Sequence, residues 1–415
     1  MKLRNIWISA LLISAFVLLI AGCAAPAAAP AADSGEASAE ESSARVVKIA
    51  AFGAKSGPLR SFGVNSEAVV NAAVDHINET GIELADGTMA MLQVDYFDSA
   101  CNAEEAISLV RRLAEDDYLM GLGPTCSGAA EALYGIFQKQ VDDESDSGLQ
   151  FPIFTDTAIK AGLAKISDWT FRNVPNETAM YTDLYAWIVE TNPDATTVFG
   201  TVETDQGHSN ATWNNIISVK AEEAGLEVVG NAEYLMADTS FTTQVRAMKQ
   251  AEADIVAVSS HPFSTCGLLK EMARQGVTPK ILIGLTSSSS NETMSGCSAE
   301  AEGMLIPTSF APVTEDAQMV ADGAAEMGGS ADLHSAAAWE ILHLVTDIIA
   351  ANGVMAQADT VEADRRLIRD GLAAIEMTDG LLGEIERTDE GEAIKPYLFV
   401  QAQEGSWEVV HDPMQ

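Results

Sequence analysis

Along the chain, apolar runs of β-forming residues alternate with segments whose apolar positions recur at helical spacing. Residues 46–52 read as a strand and 66–78 as a helix, with Val69, Val70, Ala73 and Ile77 on one face. The pattern then predicts strand 92–97, helix 103–114, strand 118–122, helix 129–138 and strand 151–154. A second series starts with strand 197–202 and continues through helix 211–224, strand 226–229, helix 242–250, strand 254–259, helix 267–275 and strand 281–284. Alternation of this kind builds parallel sheets covered by helices on both faces. The order then breaks. Strand 304–310 is followed by helices 316–327, 335–351 and 365–374, and short strands 397–401 and 407–410 close the chain. These late pieces must return to sheets already built. The expected fold class is therefore α/β: two doubly wound parallel-sheet lobes, several chain crossings and a ligand cleft between the lobes. In such sheets ligands lie outside the carboxyl ends of the strands.

The first residues carry a different pattern. Lys2 and Arg4 precede an uncharged apolar run, 6–20, which ends in Ala21-Gly22-Cys23. A short apolar segment closing on small residues reads as a secretory signal and is too short for a spanning helix. Its small-small-Cys ending resembles a bacterial lipobox, which makes Cys23 the expected lipid-bearing residue and 1–22 the removed segment. Ordinary signal cleavage nearby is the alternative, leaving a soluble exported protein. Residues 23–45, rich in Ala, Pro, Ser and Glu, offer too little large apolar surface to fold and read as a tether.

Composition sharpens this picture. A chain of 415 residues that is 47% hydrophobic supports real cores and more than one lobe. Its 61 Asp and Glu against 23 Lys and Arg give a formal charge of −38, which argues against nucleic acid and anionic membrane surfaces as partners. Beyond Cys23 there are four cysteines, Cys101, Cys126, Cys266 and Cys297. An even number in an oxidising compartment suggests two disulfides. Of the three connectivities, pairing of sequence neighbours is the expected one, Cys101–Cys126 and Cys266–Cys297. No metal site is expected, since there is no C-x-x-C and the histidines are scattered.

The sharpest local motif is Gly121-Leu-Gly-Pro-Thr-Cys-Ser127-Gly128, a strand running through a turn into a helix. Free N–H groups at a helix start with a Ser hydroxyl among them suit a carboxylate; a Ser N-cap eased by Gly is the structural alternative. Thr155-Asp156-Thr157 after the next strand is a second polar cluster, a cradle half or a cap. Ser287–Ser290 is a polar loop, either connector or site. His76 and His343 lie in helical segments and read as structural. Nucleophile-elbow, zinc-protease and dinucleotide motifs are missing from the sequence, so no catalytic residue and no cofactor are assigned.

One further pattern is specific. Ala51-Phe-Gly-Ala-Lys-Ser-Gly-Pro-Leu-Arg60-Ser-Phe62-Gly63, a helix ending His76-Ile77-Asn78, and Asp98-Ser99-Ala100-Cys101 leading on to Leu119–Ser127 resemble the leucine/isoleucine/valine-binding proteins. Phe171-Arg172 with Pro175, Asp238 with Phe241, and Ala301-Glu302-Gly303-Met304 continue the resemblance in order. These are type I periplasmic solute-binding proteins of ABC importers, here in lipoprotein form. The resemblance implies one lobe over 46–175 plus 309–392 and another over 176–308 plus 393–415, joined by a multi-strand hinge.

By the same resemblance Ser127 holds a ligand carboxylate, Thr155 and Thr157 complete that site, and Phe62 packs on the ligand body. The amino-group side departs from the family. Its Tyr-Gly is Gln206-Gly207 here, its acidic position falls at Thr286, and its aromatic-Gly-Gly stretch is Val258-Ser259-Ser260-His261. A buried ammonium needs an opposite charge or a full set of acceptors. A lining of Gln206, Ser259, Ser260 and Thr286 suits hydroxyl, keto or amide groups instead. His261 is either a donor to a ligand oxygen or a strand-end cap, and Arg60 either partners a second acid group or is a solvated loop residue. The expected function is extracytoplasmic capture of a small carboxylate, an amino acid or a non-amino organic acid, and its delivery to an ABC permease by a lipid-anchored binding protein. A sensor that reports the solute without transport uses the same fold.

Overall fold

The computed structural model describes residues 45–414. The signal segment, Cys23 and the tether through residue 44 lie outside the described residues. The chain folds around two large sheets. The first has six strands in the order β2-β3-β1-β4-β5-β6. They are β1 (Arg45–Gly53), β2 (Ile82–Glu83), β3 (Met89–Asp98), β4 (Met120–Leu122), β5 (Ile153–Thr155) and β6 (Thr170–Arg172). All its pairings are parallel except β2 with β3. In β1, every residue from Ile49 to Gly53 is buried, as expected of a central strand with helices on both faces. One face packs on helices Arg60–Asn78 and Ser335–Ala351 through Val69, Val70, Ile341 and Val345. The other packs on Ala103–Glu115 and Ser127–Tyr134 through Leu109, Val110, Ala130 and Leu133.

The second sheet has seven strands, β16-β15-β11-β10-β9-β7-β8. Five are parallel: β7 (Thr197–Glu203), β8 (Glu227–Tyr234), β9 (Ile255–Ser259), β10 (Ile281–Gly284) and β11 (Leu305–Thr308). The late strands β15 (Leu398–Gln403) and β16 (Ser406–His411) return to its edge antiparallel. A small third sheet, β12 (Met377–Gly380), β13 (Gly383–Arg387) and β14 (Ala393–Ile394), has no counterpart among the predicted strands. Its residues alternate polar and apolar only weakly, so periodicity gave no sign of it.

The chain passes between the sheets three times: from β6 into helix Glu177–Thr191, from β11 into helix Glu315–Glu326, and from β14 into β15. A buried polar knot ties these crossings. Asn173 donates to Glu340 at 2.7 Å, Arg387 donates to Asn173 Oδ1 at 2.6 Å, and the Lys395 ammonium donates to the Glu340 carboxylate. Burial pushes the Lys395 ammonium down from its ordinary value against the pull of Glu340.

Several predicted boundaries move. The first helix starts at Arg60, six residues earlier than its apolar period indicates. Its opening turn lies against the loop after β1, where a Cβ on Gly63 would stand 2.3 Å from the Ala54 carbonyl. Helix Pro262–Gln275 likewise starts earlier than predicted, with Pro at its first position where the absent N–H costs nothing. Helices Glu177–Thr191 and Asn291–Ala301 were not predicted; the first carries an Asn176 cap that accepts from Thr178 N–H. The two cysteine pairs are Cys101–Cys126 and Cys266–Cys297, each with Cα atoms 5.4 Å apart.

Candidate functional site

Parallel register puts the carboxyl ends of β1, β4 and β5 on one edge of the first sheet, and those of β7, β9 and β10 on one edge of the second. Loops from both edges enclose a cavity of about 220 Å³. From the first sheet come Phe62, Ser127 and Thr157; from the second come Gln206, His208, His261 and Ser287. His334, just before helix Ser335–Ala351, closes the wall.

The Ser127 end is built by backbone. Cys126 is extended and caps helix Ser127–Tyr134, so the first N–H groups of that helix have no intrahelical acceptor. Gly123 makes the approach possible: its φ is +131°, and a Cβ there would lie 2.2 Å from the Phe52 carbonyl. The Ser127 hydroxyl accepts from Lys160 N–H at 3.2 Å, leaving its own proton to offer. The buried Thr157 hydroxyl lines the same cavity and has no hydrogen-bond partner among the described residues. Hydroxyls and helix N–H groups converging on one space are the donors a carboxylate requires.

Five of the ligand residues named from sequence, Phe62, Ser127, Thr157, Gln206 and His261, share this cavity. Four others do not line it. Thr155 is fully buried, donates to the Pro124 carbonyl at 3.0 Å and accepts from Ala158 N–H at 3.0 Å, so it braces the two loops together. Ser259 donates to the Ser209 carbonyl at 2.8 Å. Thr286 donates to Glu177 at 2.5 Å. Arg60 is exposed at the first position of its helix, outside the cavity wall.

What the sequence reading lacked is a histidine wall with carboxylates behind it. His208 Nε2 meets Glu177 Oε1 at 2.9 Å, and His261 Nδ1 meets Glu203 Oε2 at 2.5 Å. Ser287 Oγ stands 3.0 Å from His208 Nδ1 and 3.3 Å from His334 Nε2. Both glutamates are buried and saturated: Glu177 also accepts from Thr212 and Thr286, and Glu203 from Ser264. Burial pushes the Glu177 carboxyl up, but His208 and these donors together hold it below its ordinary value. Burial, reinforced by His208 and His261, pushes the His334 imidazole well below the ordinary histidine value. The carboxylates that Gln206 and Thr286 lack are therefore present in the walls, already hydrogen-bonded to histidine. One acid, Asp205, does line the cavity; it is exposed, and its Oδ1 accepts from Met236 N–H at 2.9 Å. Glu177 was hidden in an unpredicted helix, and His334 is far from every motif in sequence, so only the fold unites them. Among the described residues, no group of three or more His, Cys, Asp or Glu is disposed to hold a metal ion.

Two sheet-based lobes with a small polar cavity between their strand ends define a solute-binding architecture of the type I periplasmic class. The chain belongs to the periplasmic binding protein family, whose model matches residues 46–406. It is 23% identical over 272 residues to the leucine-, isoleucine-, valine-, threonine- and alanine-binding protein of Pseudomonas aeruginosa, covering 64% of this chain and 68% of that one. Among solved structures it resembles the branched-chain amino acid transporter substrate binding protein of Streptococcus pneumoniae in complex with isoleucine. That match has a TM-score of 0.73 and 20% identity, over 88% of this chain and 100% of that one. It also resembles an ABC transporter solute binding protein of Rhodopseudomonas palustris in complex with p-hydroxybenzoic acid, with a TM-score of 0.70 and 16% identity, over 88% and 96% of the two chains. Among the described residues no helix is long and apolar enough to cross a membrane.

Proposed function

We propose that this chain is the extracytoplasmic solute-binding component of an ABC importer of the branched-chain amino acid type, anchored by a lipid on Cys23, and that it captures a small carboxylate. The observation that carries this reading is the convergence of the Ser127 hydroxyl, the unpartnered Thr157 hydroxyl and the start of helix Ser127–Tyr134 on one cavity. The ligands of the pneumococcal and Rhodopseudomonas proteins, isoleucine and p-hydroxybenzoic acid, share a carboxylate and little else, which supports carboxylate capture as the common denominator. The lobes are 46–175 plus 309–392 and 176–308 plus 393–415, and they close over the solute so that the permease meets the closed form. Closure is driven by the contacts the ligand makes with both walls and lacks in the open state.

A thermal-shift screen of the purified chain with amino acids and matched hydroxy, keto and aromatic acids tests this. A solute bound only by the folded state raises Tm by mass action. Ser127→Ala removes a hydrogen bond to a charge, and the active acid then binds about 1.5–3 kcal/mol more weakly. An unchanged affinity takes Ser127 out of the site, and indifference to every acid overturns carboxylate capture.

A further inference from the structure

A second cavity, of about 230 Å³, shares no lining residue with the cleft. It lies between β6, the turn from β13 to β14 and the end of helix Val361–Ala373. Gly391 seats that turn against β6: its φ is +75°, and a Cβ there would stand 3.1 Å from the Thr170 carbonyl oxygen. The cavity has an apolar floor of buried Phe154, Phe171 and Leu372, completed by half-buried Leu344 and Ile375. Charges line its exposed part, where Lys165 holds Glu390 at 2.5 Å and Asp168 and Asp389 face solvent. One charge lies against the floor. The Arg387 guanidinium stands over the Phe154 ring, 5.3 Å from its centroid. It donates from Nη1 to the Arg172 carbonyl at 3.0 Å and from Nη2 to Asn173 Oδ1 at 2.6 Å. Its Nε is buried and has no partner among the described residues. The neighbouring cations each have an acid, Arg172 with Glu392 at 2.9 Å and Lys395 with Glu340. Arg387 has no carboxylate within ion-pair distance among the described residues. Burial pushes its guanidinium down to about 10 from 12.5, with Glu340 pulling the other way, so it is a cation throughout the neutral range. A buried cation without a counter-charge is costly.

We propose that this cavity is a second binding site, for a small amphipathic monocarboxylate whose apolar body lies on Phe154, Phe171 and Leu372 and whose carboxylate accepts from Arg387 Nε. The inference is independent of what the cleft binds. A neutral apolar molecule would cover the floor and leave the guanidinium uncompensated, and an inorganic anion would do the reverse. A second carboxylate would meet Asp168, Asp389 and Glu390 at the exposed side. In an α-amino acid the ammonium stands beside the carboxylate, against the guanidinium that repels it. The same Arg387 side chain ties the end of β13 to the end of β6, where the first crossing between the sheets begins, so a bound acid completes a contact that the fold already uses.

Calorimetric titration of the purified chain with benzoate and hexanoate, each beside its alcohol, benzyl alcohol and hexanol, tests the assignment. At least one acid shows a binding component that Ser127→Ala leaves unchanged. Ala373→Trp fills the cavity from an exposed position at the helix end and weakens that component about tenfold or more. Arg387→Gln weakens it by a similar factor, and the matching alcohol binds about tenfold or more weakly than the acid, as expected where a carboxylate meets a guanidinium. Apo melting temperatures show whether each variant folds, and Ala373→Trp with the acid-to-alcohol ratio decides the matter should Arg387→Gln fail to do so. Alcohols binding as tightly as their acids overturn the anion assignment. Binding that Ser127→Ala weakens and Ala373→Trp leaves alone belongs to the cleft, overturns the second site and leaves carboxylate capture standing. Binding of neither acid overturns the second site as well.

Discussion

At the scale of single residues, one buried acid, Asp332, makes stability depend on pH. Asn65, on a helix of the first sheet, donates to Glu292 Oε1 on a helix of the second at 3.2 Å. The other Glu292 oxygen and Asp332 Oδ2 are buried with no hydrogen-bond partner among the described residues. Burial and then the charge of Glu292 push the Asp332 carboxyl up to about 6 from 3.8. A carboxyl raised on folding binds more protons in the native state, so its contribution to stability falls as pH rises from about 4 to about 6. Asp332→Asn keeps an oxygen for the N–H groups of His334 and Ser335 and offers a donor towards Glu292. The variant is expected to be more stable at pH 7 by on the order of 2 kcal/mol and to lose the stability difference between pH 5 and 7. Melting curves at the two pH values check this; a variant no more stable than the parent at pH 7 shows that Asp332 carries no such penalty.

Secondary-structure elements were legible where one principle decided them and obscure where several competed. Central strands such as β1 and β9 have uninterrupted apolar runs, and their order with amphipathic helices reveals the parallel sheets. Helix starts at Arg60 and Pro262 escaped because their first turns are fixed by loop packing, not by apolar period. The Ser127 end of the site was readable because backbone and hydroxyl lie in one contiguous motif. Of the histidine end only His261 and the Ser287 loop were singled out, because Glu177, His208, His261, Ser287 and His334 come from five separate stretches of chain. Chain crossings between lobes were expected, but the side chains that tie them together were not legible, and among these is an ion pair. The side chains of Lys395 and Glu340 are 4% and 6% exposed, and Glu340 is the acid paired with the Lys395 ammonium there. Glu340→Gln leaves the ammonium buried without a counter-charge and is expected to cost about 3–5 kcal/mol. Chemical denaturation of the variant measures it, and a loss below about 1 kcal/mol, the range of exposed pairs, means water reaches the knot.

For the molecule as a whole, a net charge of −38 opposes the capture of any anion. The proposed site offers helix N–H groups and hydroxyls at one end and sets imidazoles against buried glutamates at the other. Such a site adds no long-range attraction to offset the acidic exterior, so an acid approaches against the field and is held only once inside. Salt then has an unusual sign. Screening shortens the reach of the surface charge to about 8 Å at 0.15 M ionic strength, while bonds inside a closed cavity are screened far less. Association of a carboxylate solute is therefore expected to speed up as salt rises from the millimolar range, with dissociation nearly unchanged, and a dianion gains more than a monoanion. Stopped-flow measurement of both rates across a salt series decides it. Association that slows with salt means the cleft mouth presents a locally positive field, and the binding walls, not the solute's entry against the surface, then govern capture.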